Sequence, residues 1–114
     1  MGIERFEDII AWQKSKELTV QIYRLFDESK DFGFKDQIQR AAVSVMNNIA
    51  EGFERKSNKE FVQYLYIAKG SCGEVRSMLM IAHELKKINT PDYETLISLS
   101  MEISRMLFGL IQKL

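Results

Sequence analysis

The sequence, 114 residues long, has little of what usually marks a secreted, disulfide-bonded or membrane-embedded protein. Its one cysteine, Cys72, cannot form a disulfide within the chain, and its first residues show no basic segment followed by an apolar one. Charged or amide residues interrupt each hydrophobic stretch well before the roughly 20 residues that a membrane span needs. We therefore expect a cytoplasmic protein without a membrane partner.

An excess of charge of one sign is also absent, because 16 lysines and arginines balance 16 aspartates and glutamates. Proteins dedicated to binding nucleic acid are usually basic overall. Any nucleic-acid site in this chain must therefore be a local basic patch, concentrated on one surface or repeated by the symmetry of an oligomer.

Residues suited to catalysis are scarce as well. The one histidine, His83, lies eleven residues from Cys72, about three turns further along the same predicted helix. Cys72 belongs to an apolar stripe, where a thiolate is disfavoured. The segment Gly70–Gly73 lacks the lysine spacing of a phosphate-binding loop, and the Glu-x-x-His pairs of di-metal bundles do not occur. We expect no catalytic residue, no metal site and no cofactor, and hence a protein that is not an enzyme.

The spacing of apolar residues predicts four amphipathic helices joined by short loops. Their expected ranges are about 6–29, 35–53, 58–87 and 91–113. One compact domain of this size buries a sufficient core without disulfides or metals. The fold class is therefore all-α, an antiparallel up-down four-helix bundle that spans residues 1–114.

Three sets of residues mark the expected helix boundaries. Gly52 suits a left-handed cap at the end of helix two. Ser57 and Glu60 have the spacing of a capping box, in which each side chain accepts from a free amide at the start of helix three. Thr90 is the expected N-cap of helix four, followed by Pro91 at the first helical position, where its missing amide costs nothing.

Helix three carries two apolar stripes, which is more than one bundle core requires. The first, expected in the core, comprises Phe61, Leu65, Ala68, Cys72, Val75, Leu79 and Ala82. The second lies about 100° further round the helix and comprises Tyr64, Ile67, Ser71, Met78, Ile81 and Leu85. A contact with a second copy of the chain explains it, which gives a homo-oligomer. The alternative is a monomer in which helix three is the most buried helix.

Small residues fill most of the segment Ala68–Gly73. Two glycines inside a helix cost about 1 kcal/mol each relative to alanine, so a compensating contact is expected. We predict a tight helix crossing here, and a bulky substitution at Gly70 should then disrupt packing. The alternative is a kink in helix three.

Two basic clusters are the candidates for contact with nucleic acid. One follows a spacing of seven along helix three and the other lies at the loop before it. Together they comprise Arg55, Lys56, Lys59, Lys69, Arg76, His83 and Lys87. The alternative is that these are ordinary solvated charges, because several glutamates lie close to them in the sequence.

Several segments in a fixed order resemble the four-helix-bundle family named after the protein encoded in the intervening sequence of bacterial 23S ribosomal RNA genes. The resemblance covers nearly the whole chain. The segments are Trp12–Lys14, Gln39–Val45, Asn48–Gly52, Ser57–Phe61 and Ala68–Ser71 with Glu74. The chain departs from the family at Met46, where members often have proline, so the bend that a proline introduces into helix two is not expected.

The resemblance implies a bundle that assembles as a ring-shaped homopentamer. Similar accessory proteins of diversity-generating retroelements are thought to bind nucleic acid and a reverse transcriptase through basic ring surfaces. The resemblance thus favours an accessory protein that binds RNA or DNA, with a reverse transcriptase as a possible protein partner. The neutral charge of this chain favours the alternative, a scaffold that binds another protein and no nucleic acid.

A polar stripe on helix two lies opposite its apolar stripe. It comprises Arg40, Ser44, Asn47 and Glu51, and Arg55 continues it. Its side chains are suited to hydrogen bonds across a subunit interface or to a ligand at the inner surface of a ring. Because Glu51 and Arg55 can pair at a spacing of four, a structural role is favoured.

Overall fold

A computed structural model describes residues 2–114 of the chain. It has four α-helices, α1 (Ile10–Phe26), α2 (Phe32–Phe53), α3 (Asn58–Glu84) and α4 (Thr90–Lys113), and a short 3₁₀ turn at Phe6–Asp8 precedes α1. No strand occurs among these residues. The prediction of an all-α chain with four helices is confirmed.

The helices form an elongated bundle of 42 × 22 × 19 Å. Short connections reverse the chain between successive helices, and each helix packs against the next in sequence, with α2 against α3 as the most extensive contact. Packing of α1 against α4 closes the bundle. Because the connections are short, the topology is the up-down arrangement of a four-helix bundle.

The core consists mainly of fully buried aliphatic side chains. Every residue of the predicted core stripe on α3 is buried, which confirms that stripe. Leu18 and Ile22 of α1 and Leu96, Ile103 and Leu107 of α4 are completely buried beside it. Within residues 2–114, each buried side-chain nitrogen or oxygen has a hydrogen-bond partner, as a well-packed interior requires.

The helices begin where polar side chains accept from free backbone amides. The N–H of Glu60 donates to Ser57 Oγ at 3.2 Å, which confirms Ser57 as the cap of α3. The Glu60 carboxylate accepts from the Ser57 hydroxyl. The prediction of Thr90 as the cap of α4 is wrong: Asn89 is the cap, and its Oδ1 accepts from the N–H of Asp92 at 2.8 Å. Thr90 is already helical, one residue ahead of the predicted start.

Gly52 is not the left-handed cap that the sequence suggests. No glycine of the described chain has a positive φ, and Gly52 is helical and buried within α2. A Cβ at this position would lie 2.5 Å from the Cβ of Tyr64 on α3. Gly52 is therefore needed for the close approach of two helices rather than for a turn.

The two glycines of Ala68–Gly73 do not form the predicted tight helix crossing. A Cβ added at Gly70 or Gly73 would meet no heavy atom within 4 Å. The alternative, a break in the helix, does not occur either, because α3 is continuous from Asn58 to Glu84. The close contact between helices lies at Gly52 instead, beside Tyr64, which is less than two turns before Gly70 on α3.

Helix α3 ends at Glu84, before the predicted boundary at Lys87. Lys86 adopts a positive φ of 59°, and the N–H of Lys87 donates to the carbonyl of Ala82 at 2.8 Å. The N–H of Lys86 donates to the carbonyl of His83 at 3.0 Å. This pair of bonds is a Schellman motif, which terminates the helix with lysine at the position that usually holds glycine.

Asp31 joins two loops at this end of the bundle. Its Oδ1 accepts from the N–H of Phe34 and caps α2, and its Oδ2 lies 3.0 Å from Lys87 Nζ. The Lys87 ammonium and then the Phe34 amide hold the pKa of Asp31 below its usual value. The carboxylate therefore begins one helix and ties the end of another to it.

Candidate nucleic-acid interface

The exposed surface between α3 and α4, here called the α3/α4 face, brings together cations from both helices. Lys69 of α3 borders a shallow depression with Arg105 and Phe108 of α4. Arg76 follows Lys69 by seven residues and therefore projects from the same side of α3. Tyr66 precedes Lys69 by about one turn on the exposed side.

The cations of this face have no acidic partner in the described part of the chain. The ion pairs of residues 2–114 lie elsewhere and join Arg5–Glu7, Lys14–Glu102, Arg40–Asp36, Arg55–Glu51 and Lys87–Asp31. Glu74, which is close to Lys69 in sequence, instead accepts from Gln37 of α2 at 3.3 Å. Although the chain is neutral overall, Lys69, Arg76 and Arg105 create a local positive surface.

Two aromatic rings are exposed on the same face. Tyr66 is 53% exposed and Phe108 is 46% exposed. The aromatic pairs of the described residues are made by other rings, such as Phe26 with Phe34. The α3/α4 face therefore combines unpaired cations with aromatic side chains that have no ring partner in residues 2–114.

Cys72 lies under this face and is completely buried. Its Sγ donates to the carbonyl of Ser100 on α4 at 3.1 Å. Burial raises the pKa of the Cys72 thiol to about 11, although the positive charges of Arg76 and Lys69 act in the opposite direction. The thiol is thus protonated and shielded near neutral pH.

Three of the seven predicted basic residues are occupied by contacts within the chain, and two of these three, His83 and Lys87, lie near the end of α3. His83 stacks on Tyr93 with ring centroids 4.1 Å apart, and its Nε2 lies 3.1 Å from Thr90 Oγ1. Lys87 pairs with Asp31. These contacts hold the connection between α3 and α4, so His83 and Lys87 do not stand beside Lys69 as free cations.

The remaining predicted cluster lies where α2 meets α3. Arg55 pairs with Glu51 at 2.8 Å and donates to the Tyr64 hydroxyl. The hydrogen bond to Tyr64 is the largest cause of a raised pKa at Arg55, and the charge of Glu51 adds to the increase. Lys56 and Lys59 are exposed and lack an acidic partner among the described residues. Lys59 precedes Tyr66 by seven residues and so continues the α3/α4 face toward this loop.

The second apolar stripe of α3 divides into two groups on the opposite side, here called the α2/α3 face. Ser71 Oγ lies 2.8 Å from Ser44 Oγ, Tyr64 packs over Gly52, and Met78 is buried. Ser71 and Tyr64 thus contact α2 of the same chain. The other group remains exposed and comprises Ile67, Ile81 and Leu85.

The polar stripe of α2 lies along the same α2/α3 face and makes mostly internal contacts. Ser44 bonds to Ser71 and accepts from Asn48 Nδ2 at 3.0 Å. Arg40 pairs with Asp36 at 2.9 Å within α2. Asn47 is exposed. Most of this stripe therefore stabilises α2 and its contact with α3.

Arg105 and Phe108 are the candidate residues that the sequence reasoning missed. The apolar core stripe of α4 does not include its outer residues. Met101, Arg105 and Phe108 recur at intervals of four and three, and all three are exposed. These residues form a second stripe on α4, and the sequence alone does not show which neighbouring helix lies beside this stripe.

Two kinds of feature are missing from the structure of residues 2–114. No group of three or more His, Cys, Asp or Glu side chains is placed to hold a metal ion. None of the helices is both long enough and apolar enough to cross a membrane.

A family model described as the 23S rRNA-intervening sequence protein matches residues 7–109. A similar solved structure is a crystal structure of a protein with unknown function from the S23 ribosomal protein family of Bacteroides thetaiotaomicron. The two chains are 30% identical, the TM-score is 0.83, and the match covers 89% of this chain and 97% of that one. A search of curated proteins finds no match.

Proposed function

Because the chain belongs to the 23S rRNA-intervening sequence protein family, we propose that it is a non-enzymatic accessory protein that binds nucleic acid through its α3/α4 face. One observation carries this proposal. Lys69 of α3 and Arg105 of α4 line one depression, Arg76 projects from the same side of α3, and none of the three has a carboxylate partner within residues 2–114. Cations left free in this way are available to phosphates.

Binding of this kind depends on a few local contacts. Each phosphate that a lysine or arginine neutralises releases counterions, so affinity falls as salt rises. A neutral chain gains little long-range attraction for a polyanion. We therefore expect modest affinity for one copy and a shallow salt dependence that reflects about three cations on the face.

Self-association is the second part of the proposal. Ile67, Ile81 and Leu85 expose apolar surface on the α2/α3 face, away from the cations. A second copy of the chain that covers them gives a homo-oligomer, and the family resemblance favours a pentameric ring. Repetition of the α3/α4 face around such an assembly would multiply the weak positive surface of a neutral chain.

The test is titration of the protein against labelled RNA and DNA at low and physiological salt. Glutamates at both cation positions, Lys69→Glu with Arg76→Glu, should abolish binding at physiological salt because phosphates then meet like charge. The control is Lys16→Glu with Arg24→Glu, which makes the same change of charge on the exposed side of α1. Light scattering on the same samples should give an unchanged molar mass.

Unchanged affinity in the Lys69 and Arg76 variant would remove the α3/α4 face from consideration. No binding by the wild-type protein, even at low salt, would favour the alternative function. That function is a scaffold that binds another protein, such as a reverse transcriptase. The neutral charge and the exposed Ile67, Ile81 and Leu85 favour it.

A further inference from the structure

We propose that the α3/α4 face selects single-stranded nucleic acid, by stacking unpaired bases on Tyr66 and Phe108. This inference rests on the proposed function and adds the class of nucleic acid. Phe108 lines the same depression as Lys69 and Arg105, and Tyr66 lies about one turn before Lys69 on the exposed side of α3. One face therefore offers charge to the phosphates and ring surface to the bases.

Tyr66 and Phe108 differ from most aromatic side chains of the bundle because their rings are free to contact a ligand. Phe53 packs edge-on against Phe61, and Phe6 packs against Trp12. In contrast, neither Tyr66 nor Phe108 has a ring partner, and the Tyr66 hydroxyl makes no hydrogen bond to another side chain or backbone group of residues 2–114. Exposed rings without such a contact are free to contact a base.

The surface beside the rings is open. A Cβ at Gly70, four residues after Tyr66, would meet nothing within 4 Å. A flat base can therefore approach the α3 backbone between Tyr66 and the next turn without meeting a side chain at that position. Gly70 supplies only this space, whereas the cations and the rings around it supply the contacts to a ligand.

Duplexes would gain nothing from the rings. In a duplex the faces of the bases are covered by their neighbours, and base edges are read by an element that enters a groove. The depression at Lys69 and Phe108 is shallow and both α3 and α4 lie along it. Unpaired bases have exposed faces, so only single strands can use Tyr66 and Phe108 together with the cations.

The first experiment compares three labelled ligands with equal numbers of phosphates per strand. They are a single strand of about 20 nucleotides, its duplex, and an abasic strand with the same backbone. We expect the single strand to bind the wild-type protein at least about 10-fold more tightly than the abasic strand, because one stacked base contributes about 5- to 150-fold in affinity. The duplex should bind more weakly than the single strand despite its higher charge density, because its base faces are covered.

The second experiment removes the rings and keeps their apolar bulk. Tyr66→Leu and Phe108→Leu should each weaken binding of the single strand by about 5-fold or more and leave binding of the abasic strand unchanged. The matched control is Tyr23→Leu, because Tyr23 is 44% exposed on α1, away from the α3/α4 face. That variant should bind all three ligands as the wild type does.

Equal affinity for the single strand and the abasic strand would overturn the stacking proposal. Tighter binding of the duplex than of the single strand would overturn it as well. In both cases the proposed function would stand as long as Lys69→Glu with Arg76→Glu still abolishes binding. No binding of any ligand at low salt would overturn both, and light scattering on the same sample shows that the protein is folded and assembled.

Discussion

The two exposed sides of α3 use their polar groups in opposite ways. On the α2/α3 face the polar groups bond to one another: Ser71 bonds to Ser44, and Arg55 bonds to Glu51 and Tyr64. On the α3/α4 face Lys69, Arg76 and Arg105 have no carboxylate partner in the described residues. Composition alone hides this difference, because both sides of the helix are rich in polar residues.

The comparison shows that a charge balance of zero says little about where charge is available. An acidic side chain that is near a cation in the sequence need not pair with it in the fold. Glu74, for example, accepts from Gln37 on the α2 side although Lys69 is near it in sequence. A neutral chain can therefore carry one positive face. The difference between the two sides of α3 should also appear in stability, with effects that decrease from Cys72 to Gly52 to Ser44.

The largest effect concerns Cys72, beneath the cations of the α3/α4 face. Its folded pKa of about 11 lies above the ordinary value of 9.0, because burial disfavours the thiolate. A pKa that folding raises contributes stability in full at pH values below the pKa of the unfolded state. This stability is lost as pH rises through the pKa of the folded state. The free energy of unfolding should therefore fall by up to about 3 kcal/mol between about pH 9 and pH 11.

Urea unfolding across this pH range measures the effect, with Cys72→Ala as the reference for other groups that titrate there. The free energy of unfolding is plotted against pH for both proteins, and the difference in slope between wild type and Cys72→Ala reports the thiol alone. Lys69→Gln with Arg76→Gln should raise the pKa of Cys72 further, because both cations lower it. Rapid reaction of Cys72 with a thiol reagent at pH 8 in the folded protein would contradict the prediction.

The second effect compares glycines on the two sides. Gly52→Ala should lower the free energy of unfolding by about 2 kcal/mol, since its Cβ would lie 2.5 Å from Tyr64 Cβ. Gly70→Ala, on the open side, should raise it by about 0.5–1 kcal/mol because alanine favours the helix. Chemical denaturation measures both, and equal effects at the two positions would mean that the helices do not approach closely at Gly52.

The smallest effect comes from the hydroxyl pair of the α2/α3 face. Ser44→Ala removes the bond to Ser71 and the one from Asn48, and should cost about 1 kcal/mol. Ser104→Ala on the α3/α4 face should change stability little, because Ser104 makes no side-chain hydrogen bond within residues 2–114. A double-mutant cycle with Ser71→Ala should give a coupling of about 0.5 kcal/mol or more, and strict additivity would show that the pair contributes nothing.

Local chemistry in the sequence was sufficient to predict most of the fold. The core stripe of α3 follows from its spacing, and the cap at Ser57 follows from its neighbours. The prediction of Gly52 as a left-handed cap is wrong because glycine near the end of a helix suits two different roles, a turn and a close approach of two helices. Only the position of Tyr64 across the hairpin distinguishes them.

The candidate site was harder to predict because it is shared between two helices. Lys69 and Arg76 lie on one helix, so their spacing reveals them. Arg105 and Phe108 join them only through the register of α4 against α3, which periodicity within a single helix does not contain. The same limit applies to His83, whose stacking on Tyr93 depends on the packing of α4.

The unbroken course of α3 fixes the angle between its two exposed sides. Ile67 and Arg76 are two and a half turns apart, so they project in nearly opposite directions from one rigid helix. A contact between copies through Ile67 would therefore hold each Arg76 outward, at regular intervals around the assembly. In the proposed assembly, a strand held by one copy would meet the next copy at millimolar effective concentration, and avidity would then compensate for the weak affinity of each face.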